Sequence, residues 1–353
     1  MENKDIYIAG PYCAGKSWAS VQLSQNLKLP QFETDDVIIP LIKKYKSPIQ
    51  YPEFSTIEVK RDTIDGFKSM LNGQPRMIMN GFALNYRDVR ETIRGINGRD
   101  YLLFNIVPGY ERWKRLFDLR AIALPEKTAK EHKSWEMYSK WLQRFEAPDE
   151  FYYTVEDSRM LSCSVGVYQR PELSLLKFNG LSLENVHGRV LDLGCAEGYM
   201  GQFLLEKGQV TKVTGIDSSW WFLEKARARG YEVVLGDLNS IALNDLGMFD
   251  YTLCLSVLHR VMDKEHLIRQ IAACTRYEAI FELPLNCRSG LVMERYDSVP
   301  GHTKAETQAW CPSQEILELW FKQYFASFEL VGLSPLKYGD SSRRVVYKCL
   351  TLH

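Results

Sequence analysis

Gly10-Pro11-Tyr12-Cys13-Ala14-Gly15-Lys16-Ser17 satisfies G-x-x-x-x-G-K-[ST] at every fixed position. The apolar run Ile6-Tyr7-Ile8-Ala9 precedes it, and a helix-compatible stretch from Trp18 to Leu27 follows. Strand, glycine-rich turn and helix in that order wrap backbone N–H groups around a phosphate, because glycine tolerates the turn's backbone angles. The helix N-terminus adds its positive dipole end. Gly10, Ala14 and Gly15 shape such a cradle, Lys16 reaches the β- and γ-phosphates, and the Ser17 hydroxyl ligates Mg²⁺. The expected ligands are ATP and Mg²⁺.

The same grammar recurs at Arg189-Val190-Leu191-Asp192-Leu193-Gly194. Both starts continue into alternating strand-like and helix-like patterns, which predicts α/β architecture with parallel sheets. Two starts predict two doubly wound domains. Ala147-Pro148-Asp149 is a breaker. We therefore expect a first domain over 1–147, a linker over 148–164 and a second domain over 165–353. Pro171 to Leu183 reads as a helix lying over the second sheet.

Composition agrees with two folded domains. The 353 residues suffice for about two cores at roughly 150 residues each. With 45% hydrophobic and 25% charged residues, disorder, a collagen-like chain and a coiled coil are excluded. The 44 basic and 44 acidic residues cancel, so the overall field makes no case for nucleic acid as partner. The eight cysteines contain no C-x-x-C pair, which argues for reduced thiols and a cytoplasmic location. The polar start Met1-Glu2-Asn3-Lys4-Asp5 lacks a secretion signal's apolar core, and no stretch nears the ~18 apolar residues of a membrane span.

Beyond the first cradle, Glu33-Thr34-Asp35-Asp36 puts acids at the end of the second strand pattern. Carboxylates beside a phosphate site hold Mg²⁺ through water or accept a hydroxyl proton, so Asp35 joins Ser17 as a candidate metal-site residue. Here the sequence resembles small-molecule kinases of the shikimate, gluconate and nucleoside type, which carry a D-x-D-like element at this place. The resemblance implies that Asp35 activates the acceptor hydroxyl. It also implies a lid over Gly109 to Arg120, with Arg112 and Arg115 on one helical face neutralising developing charge. Arg76 to Phe82 reads as a buried strand ending in Asn80 where an acid is expected. That departure makes Asn80 and Gly81 acceptor-site lining. Arg61, on the preceding helix pattern, faces either an anionic acceptor or a surface carboxylate. The Trp- and Tyr-rich pattern from Glu131 to Phe145 reads as packing.

In the second half, Val190 to Tyr199 is a strand with an acidic, glycine-rich turn. Val213-Thr214-Gly215-Ile216-Asp217 ends in an acid about twenty residues later, where ribose hydroxyls are bound. Val233 to Leu238 is a third strand ending in Asp237, and Phe249 to His259 is a fourth running into a loop. This series resembles class I S-adenosylmethionine-dependent methyltransferases over about 165–353. A nicotinamide dehydrogenase is the alternative, disfavoured by the acid in Asp192-Leu193-Gly194-Cys195 and by Ser256-Val257-Leu258-His259. The resemblance implies that Asp192, Gly194, Ala196 and Gly198 surround the methionine part of the cofactor. Asp217 would hold the ribose, Asp237 the adenine amine with Leu238 beside it, and Ser256 would border the transferred methyl. His259, with a pKa ordinarily near neutrality, is a candidate general base. Arg288, Arg295, Tyr296 and His302 lie in a polar insertion that covers the acceptor in that family.

The expectation is a bifunctional enzyme: an ATP-dependent kinase fused to an S-adenosylmethionine-dependent methyltransferase, acting on a small-molecule or glycan acceptor. Fusion favours sequential action, with a hydroxyl phosphorylated and the new phosphate then methylated. The alternatives are nucleic-acid end modification, separate small-molecule sites for the two reactions, and a binding module without turnover.

Overall fold

Every residue from Ile6 to Ala9 is fully buried. A strand covered on both faces belongs at the centre of a parallel sheet, and its unbroken apolar run encodes that position. In the computed structural model of the chain, Asp5–Ala9 is β1, the middle strand of five. The structure describes residues 4–11, 13–45, 57–74, 76–123, 135–162, 171–181, 183–286, 293–296, 309–334 and 344–352. The chain folds as two compact units, Met1–Val165 and Gly166–His353.

The first unit continues with α1 (Lys16–Leu27), β2 (Gln31–Glu33), α2 (Asp35–Tyr45), α3 (Ile57–Leu71), β3 (Ile78–Asn80), α4 (Arg87–Asn97), β4 (Tyr101–Ile106), α5 (Tyr110–Ala123), α6 (Trp135–Leu142) and β5 (Tyr153–Val155). The sheet order is β2-β3-β1-β4-β5 and all pairs are parallel. The chain leaves β1 for one side and later returns to the other, so β1 is the strand where the order reverses. Ligands of open α/β sheets bind beyond the carboxyl ends of strands at such a point. Tyr7, Ala9, Met79 and Leu103 share a face with Phe67 of α3 and with Val89 and Ile93 of α4 in one core. Trp113, Phe117 and Tyr138 form a separate aromatic cluster between α5 and α6.

Two sequence expectations change here. The segment expected as a linker over 148–164 contains β5, which pairs with β4 through Phe104, Asn105 and Ile106. It also contains the 3-10 turn Ser158–Ser162, packed on α1. Pro148 ends the preceding segment, but the apolar positions of Tyr153 and Val155 complete the sheet edge. The acidic cluster is not a free strand end either: Asp35 and Asp36 form the first turn of α2, where carboxylates complement the helix dipole. Pro40 sits inside that helix rather than breaking it.

The second unit comprises α7 (Pro171–Gly180), β6 (Gly188–Leu193), α8 (Tyr199–Glu206), β7 (Val210–Asp217), α9 (Trp220–Ala228), β8 (Glu232–Leu235), β9 (Phe249–Leu255), α10 (Lys264–Cys274), β10 (Thr275–Pro284), β11 (Met293–Tyr296), β12 (Ala309–Pro312), α11 (Gln314–Tyr324), β13 (Ser327–Leu333) and β14 (Arg344–Leu350). Seven strands run β13-β14-β10-β9-β6-β7-β8, while β11 and β12 pair separately. β14 is antiparallel to both neighbours; the other pairs are parallel. This is a Rossmann-like fold whose order reverses at β6. Leu191 and Leu193, Phe281 and Leu283, and Val345 and Tyr347 repeat at a spacing of two and meet Leu267, Ile271, Leu317 and Phe321 of α10 and α11. Ser313 caps α11, its Oγ accepting from Ile316 N at 3.4 Å.

Candidate functional site

In each unit the glycine-rich turn follows the strand of reversal. In the first, Gly10 has φ +137° and Gly15, the N-cap of α1, has φ +85°. A Cβ at Gly10 would lie 2.4 Å from Ile106 O, and one at Gly15 would lie 2.6 Å from Ser158 Oγ. Both glycines are therefore required by neighbouring chain as well as by backbone angle. Gly10 is clamped from both sides by buried Asn85. Gly10 N donates to Asn85 Oδ1 at 2.9 Å, and Asn85 Nδ2 donates to Gly10 O at 3.2 Å.

Lys16 folds back over the loop, donating to Gly10 O at 3.1 Å and Pro11 O at 2.8 Å. Burial pulls its ammonium down to about 8, while the nearby charge of Asp35 holds against that shift. Burial likewise raises the Asp35 carboxyl, with Lys16 opposing. Lys16, Asp35, Glu33 and Cys13 thus share one electrostatic environment. The arginine that acts in it is Arg120, which influences both Lys16 and Asp35 and lies 3.4 Å from Cys13 Sγ. Arg112 instead pairs with Asp157 at 2.5 Å, and Arg115 and Arg61 are exposed. Arg120 lies eight residues beyond Arg112, about two turns further along α5.

Ser17 Oγ donates to Asn80 Oδ1 at 3.4 Å. That contact ties Asn80 to the cradle. Gly81, at φ +149°, leaves no room for a side chain, because its Cβ would lie 1.8 Å from Thr34 Oγ1.

In the second unit, Gly194, Ala196 and Gly198 all have positive φ, +66°, +47° and +80°. A Cβ at Gly194 would meet Val257 at 2.7 Å, and one at Gly198 would meet Ala226 at 2.7 Å. Asp217 leaves β7 to close this turn. Its Oδ2 accepts from Ala196 N at 3.0 Å and its Oδ1 from Ser219 N at 2.8 Å. Burial raises the Asp217 carboxyl and these backbone donors oppose the rise. Each oxygen keeps a lone pair, so a diol remains a suitable partner. Asp237 is exposed, and its Oδ1 accepts from Asn239 N at 2.9 Å. Leu238 is half-buried against the core.

Asp192, at the end of β6, pairs with a residue far along the chain. It is buried, and its Oδ2 accepts from Tyr231 OH at 2.8 Å; that hydroxyl in turn accepts from Gly201 N at 2.5 Å. The acid therefore couples β6 to α8 through Tyr231, a residue the motif reading did not contain. Ser256, at φ +61°, sits between Lys177 and Glu282. Lys177 Nζ donates to Ser256 Oγ at 3.1 Å and pairs with Glu282; Ser256 and Ser334 also donate to the Glu282 carboxylate. Burial pushes Glu282 up, but Lys177 and the two hydroxyls outweigh it and leave its carboxyl below the ordinary value. Lys177, Glu282 and Ser334 carry no local motif, and only the fold brings them to Ser256. Arg288, Arg295, Tyr296 and His302 fall outside the described side chains.

His259, the candidate general base, is buried. Burial, then Arg344, Arg260, Lys264 and Lys177, lower its pKa to about 2. Such an imidazole stays neutral and is a weak base. A pH prediction follows from this group and Asp192, whose burial raises its carboxyl to about 7. His259 has a lowered pKa, so the unfolded chain takes the proton first and stability falls as pH drops below ~6.5. From pH 8 to pH 5 that amounts to about 2 kcal/mol. Asp192 has a raised pKa, so the folded chain keeps the proton longer and stability falls as pH rises from ~4 to about 7. From pH 8 to pH 5 it adds about 3 kcal/mol. Relative to wild type, His259→Gln should gain and Asp192→Asn should lose stability at pH 5 compared with pH 8. Denaturant titrations at both pH values check this; variant curves parallel to wild type would refute the two assignments.

Comparison with known proteins places residues 190–278 in a match to the methyltransferase domain family. No curated protein matches the chain. Among solved structures, similarity is found to the N-terminal domain of EvdMO1 with SAH bound: 15% identity, TM-score 0.41, covering 52% of this chain and 82% of that one. An S-adenosylmethionine-dependent methyltransferase from Clostridium acetobutylicum ATCC 824 matches at 14% identity and TM-score 0.36, over 52% of this chain and 92% of that one. The bifunctional kinase-methyltransferase WbdD matches at 22% identity and TM-score 0.36, over 52% of this chain and 39% of that one. The family match lies wholly within the second unit, from β6 into β10. Among the described residues, no helix is long and apolar enough to cross a membrane.

Proposed function

We propose that the chain joins two transferases: an ATP-dependent phosphotransferase in the first unit and an S-adenosylmethionine-dependent methyltransferase in the second. The observation that supports this is the pair of turns at the two strands of reversal, one holding Lys16 and the other closed by Asp217. The first turn fits a nucleoside triphosphate. Lys16 supplies the cation, α1 its N-terminus, and Ser17 with Asp35 the one or two protein oxygens that Mg²⁺ needs beside phosphate. Asp35, raised by burial, accepts the acceptor's hydroxyl proton as that oxygen attacks the terminal phosphorus and the diphosphate leaves. Arg120 shares the electrostatic environment of Lys16 and Asp35 and steadies the transferred charge.

S-adenosylmethionine, when bound, supplies an electrophilic methyl. Asp217 would accept from the ribose hydroxyls and Asp237 from the adenine amine. In-line displacement then depends on positioning, and a phosphate oxygen as nucleophile needs no base. A weakly basic His259 is compatible with that acceptor. The proposed sequence is phosphorylation of a hydroxyl followed by methylation of the new phosphate, with a glycan end as the acceptor class. The fusion, which raises the effective concentration of the intermediate, favours this order.

Incubating the full chain with ATP, S-adenosylmethionine and candidate oligosaccharides should produce a methyl coupled to phosphorus in ³¹P–¹H NMR. Methyl appearing on carbon, nitrogen or an ordinary hydroxyl would defeat the sequential reading. Strongly salt-dependent affinity for oligonucleotides would favour a nucleic-acid end as acceptor instead.

A further inference from the structure

Asn80 closes β3 at the carboxyl end of the first sheet, aligned with Ile8 of β1 and Glu33 of β2. It is only 2% exposed. One end of its amide meets Ser17, through Oδ1; at the other end, Nδ2 has no hydrogen-bond partner. A buried donor left unpaired costs about 1–3 kcal/mol. Native folds keep such groups rarely, and a missing ligand is one reason they do. The charges nearby bear on why an amide stands here. Glu33 and Asp35 already place two carboxylates in the field of Lys16. An acid at position 80 would add a third negative charge beside the cradle, whereas the amide adds a donor and no charge.

We infer that Asn80 reads the terminal phosphoryl group of the nucleotide. Oδ1 takes the Ser17 hydroxyl hydrogen, which leaves that oxygen's lone pairs for Mg²⁺, and Nδ2 donates to a terminal phosphoryl oxygen. Asn80 thereby separates triphosphate from diphosphate. This rests on the phosphotransferase reading of the first unit, because the partner of Nδ2 is a phosphate only if a nucleotide occupies the cradle.

The test is calorimetric titration of the full chain with AMP-PNP and with ADP, each with and without Mg²⁺. For Asn80→Asp, AMP-PNP affinity should fall about 10- to 100-fold, the equivalent of one hydrogen bond to a charged group. ADP affinity should stay within about threefold, since ADP lacks the group being read. Asn80→Ala, which removes the donor without adding charge, should show the same selectivity with a smaller loss. Equal losses for both nucleotides would mean a merely structural role and overturn the inference. So would unchanged AMP-PNP affinity, or tighter Mg²⁺–AMP-PNP binding in Asn80→Asp, which is the behaviour of a metal-holding acid. If wild type binds neither nucleotide, the phosphotransferase reading itself fails and this inference falls with it. Circular dichroism of each variant separates these results from misfolding.

Discussion

Lys16→Met should weaken ATP binding by about 10- to 100-fold and leave S-adenosylmethionine binding to the second unit unchanged. Hydrogen bonds to a charged group are worth about 1.5–3 kcal/mol, and the ammonium is the cation placed directly on the loop. In the free protein it donates to Gly10 O and Pro11 O, which keeps it on the loop. Phosphoryl transfer should fall further, by about 10²–10³-fold, because the same charge stabilises the transferring group. The free ammonium titrates at about 8, so ATP affinity should decline as pH rises above that value, and Lys16→Met should lack the decline. Paired calorimetric titrations with the two cosubstrates check all of this. Unchanged ATP affinity in Lys16→Met would remove the basis for a phosphotransferase unit.

Lys177→Met is the second large effect, and it falls on stability. Glu282 is fully buried, and Lys177 is the cation paired with it. Breaking a buried pair by removing one partner costs about 3–5 kcal/mol, because the remaining charge has lost its compensation. For a unit of this size the calorimetric transition should drop by about 10 °C. Ser256 should loosen as well. Its left-handed backbone is held by Ser256 N donating to Glu282 O at 2.7 Å and by the Lys177 and Glu282 side chains. Val257, beside the Gly194 turn, follows directly in the chain. Lys177→Met combined with Glu282→Gln should recover much of the loss, since neither charge is then stranded. A shift of less than ~1 kcal/mol in the single variant would show that the pair is not the lock described.

The residues legible in the sequence were those whose requirement is local. Gly10, Gly15, Gly194 and Gly198 each need positive φ within a strand–turn–helix, and neighbours in the chain announce that need. Less legible were the roles of residues inside correct motifs. Asp192 belongs to the acidic turn motif, yet its carboxylate points at Tyr231, thirty-nine positions away. His259 follows the right strand, but its burial among four cations makes it a weak base. Arg112 lies on the expected helix and pairs with Asp157, while Arg120, two turns further along, is the one that reaches the loop.

By itself the sequence determined that two glycine-rich turns follow two buried parallel strands, because backbone angles and strand burial are written into consecutive residues. Only the tertiary structure decided that Asn85 clamps Gly10, that Asn80 meets Ser17 with a donor to spare, and that Lys177 and Glu282 hold Ser256. Those partners stand 75, 63, 79 and 26 positions apart. Pairings at such separations depend on how helices and strands pack, and neither partner's local sequence carries a record of the other.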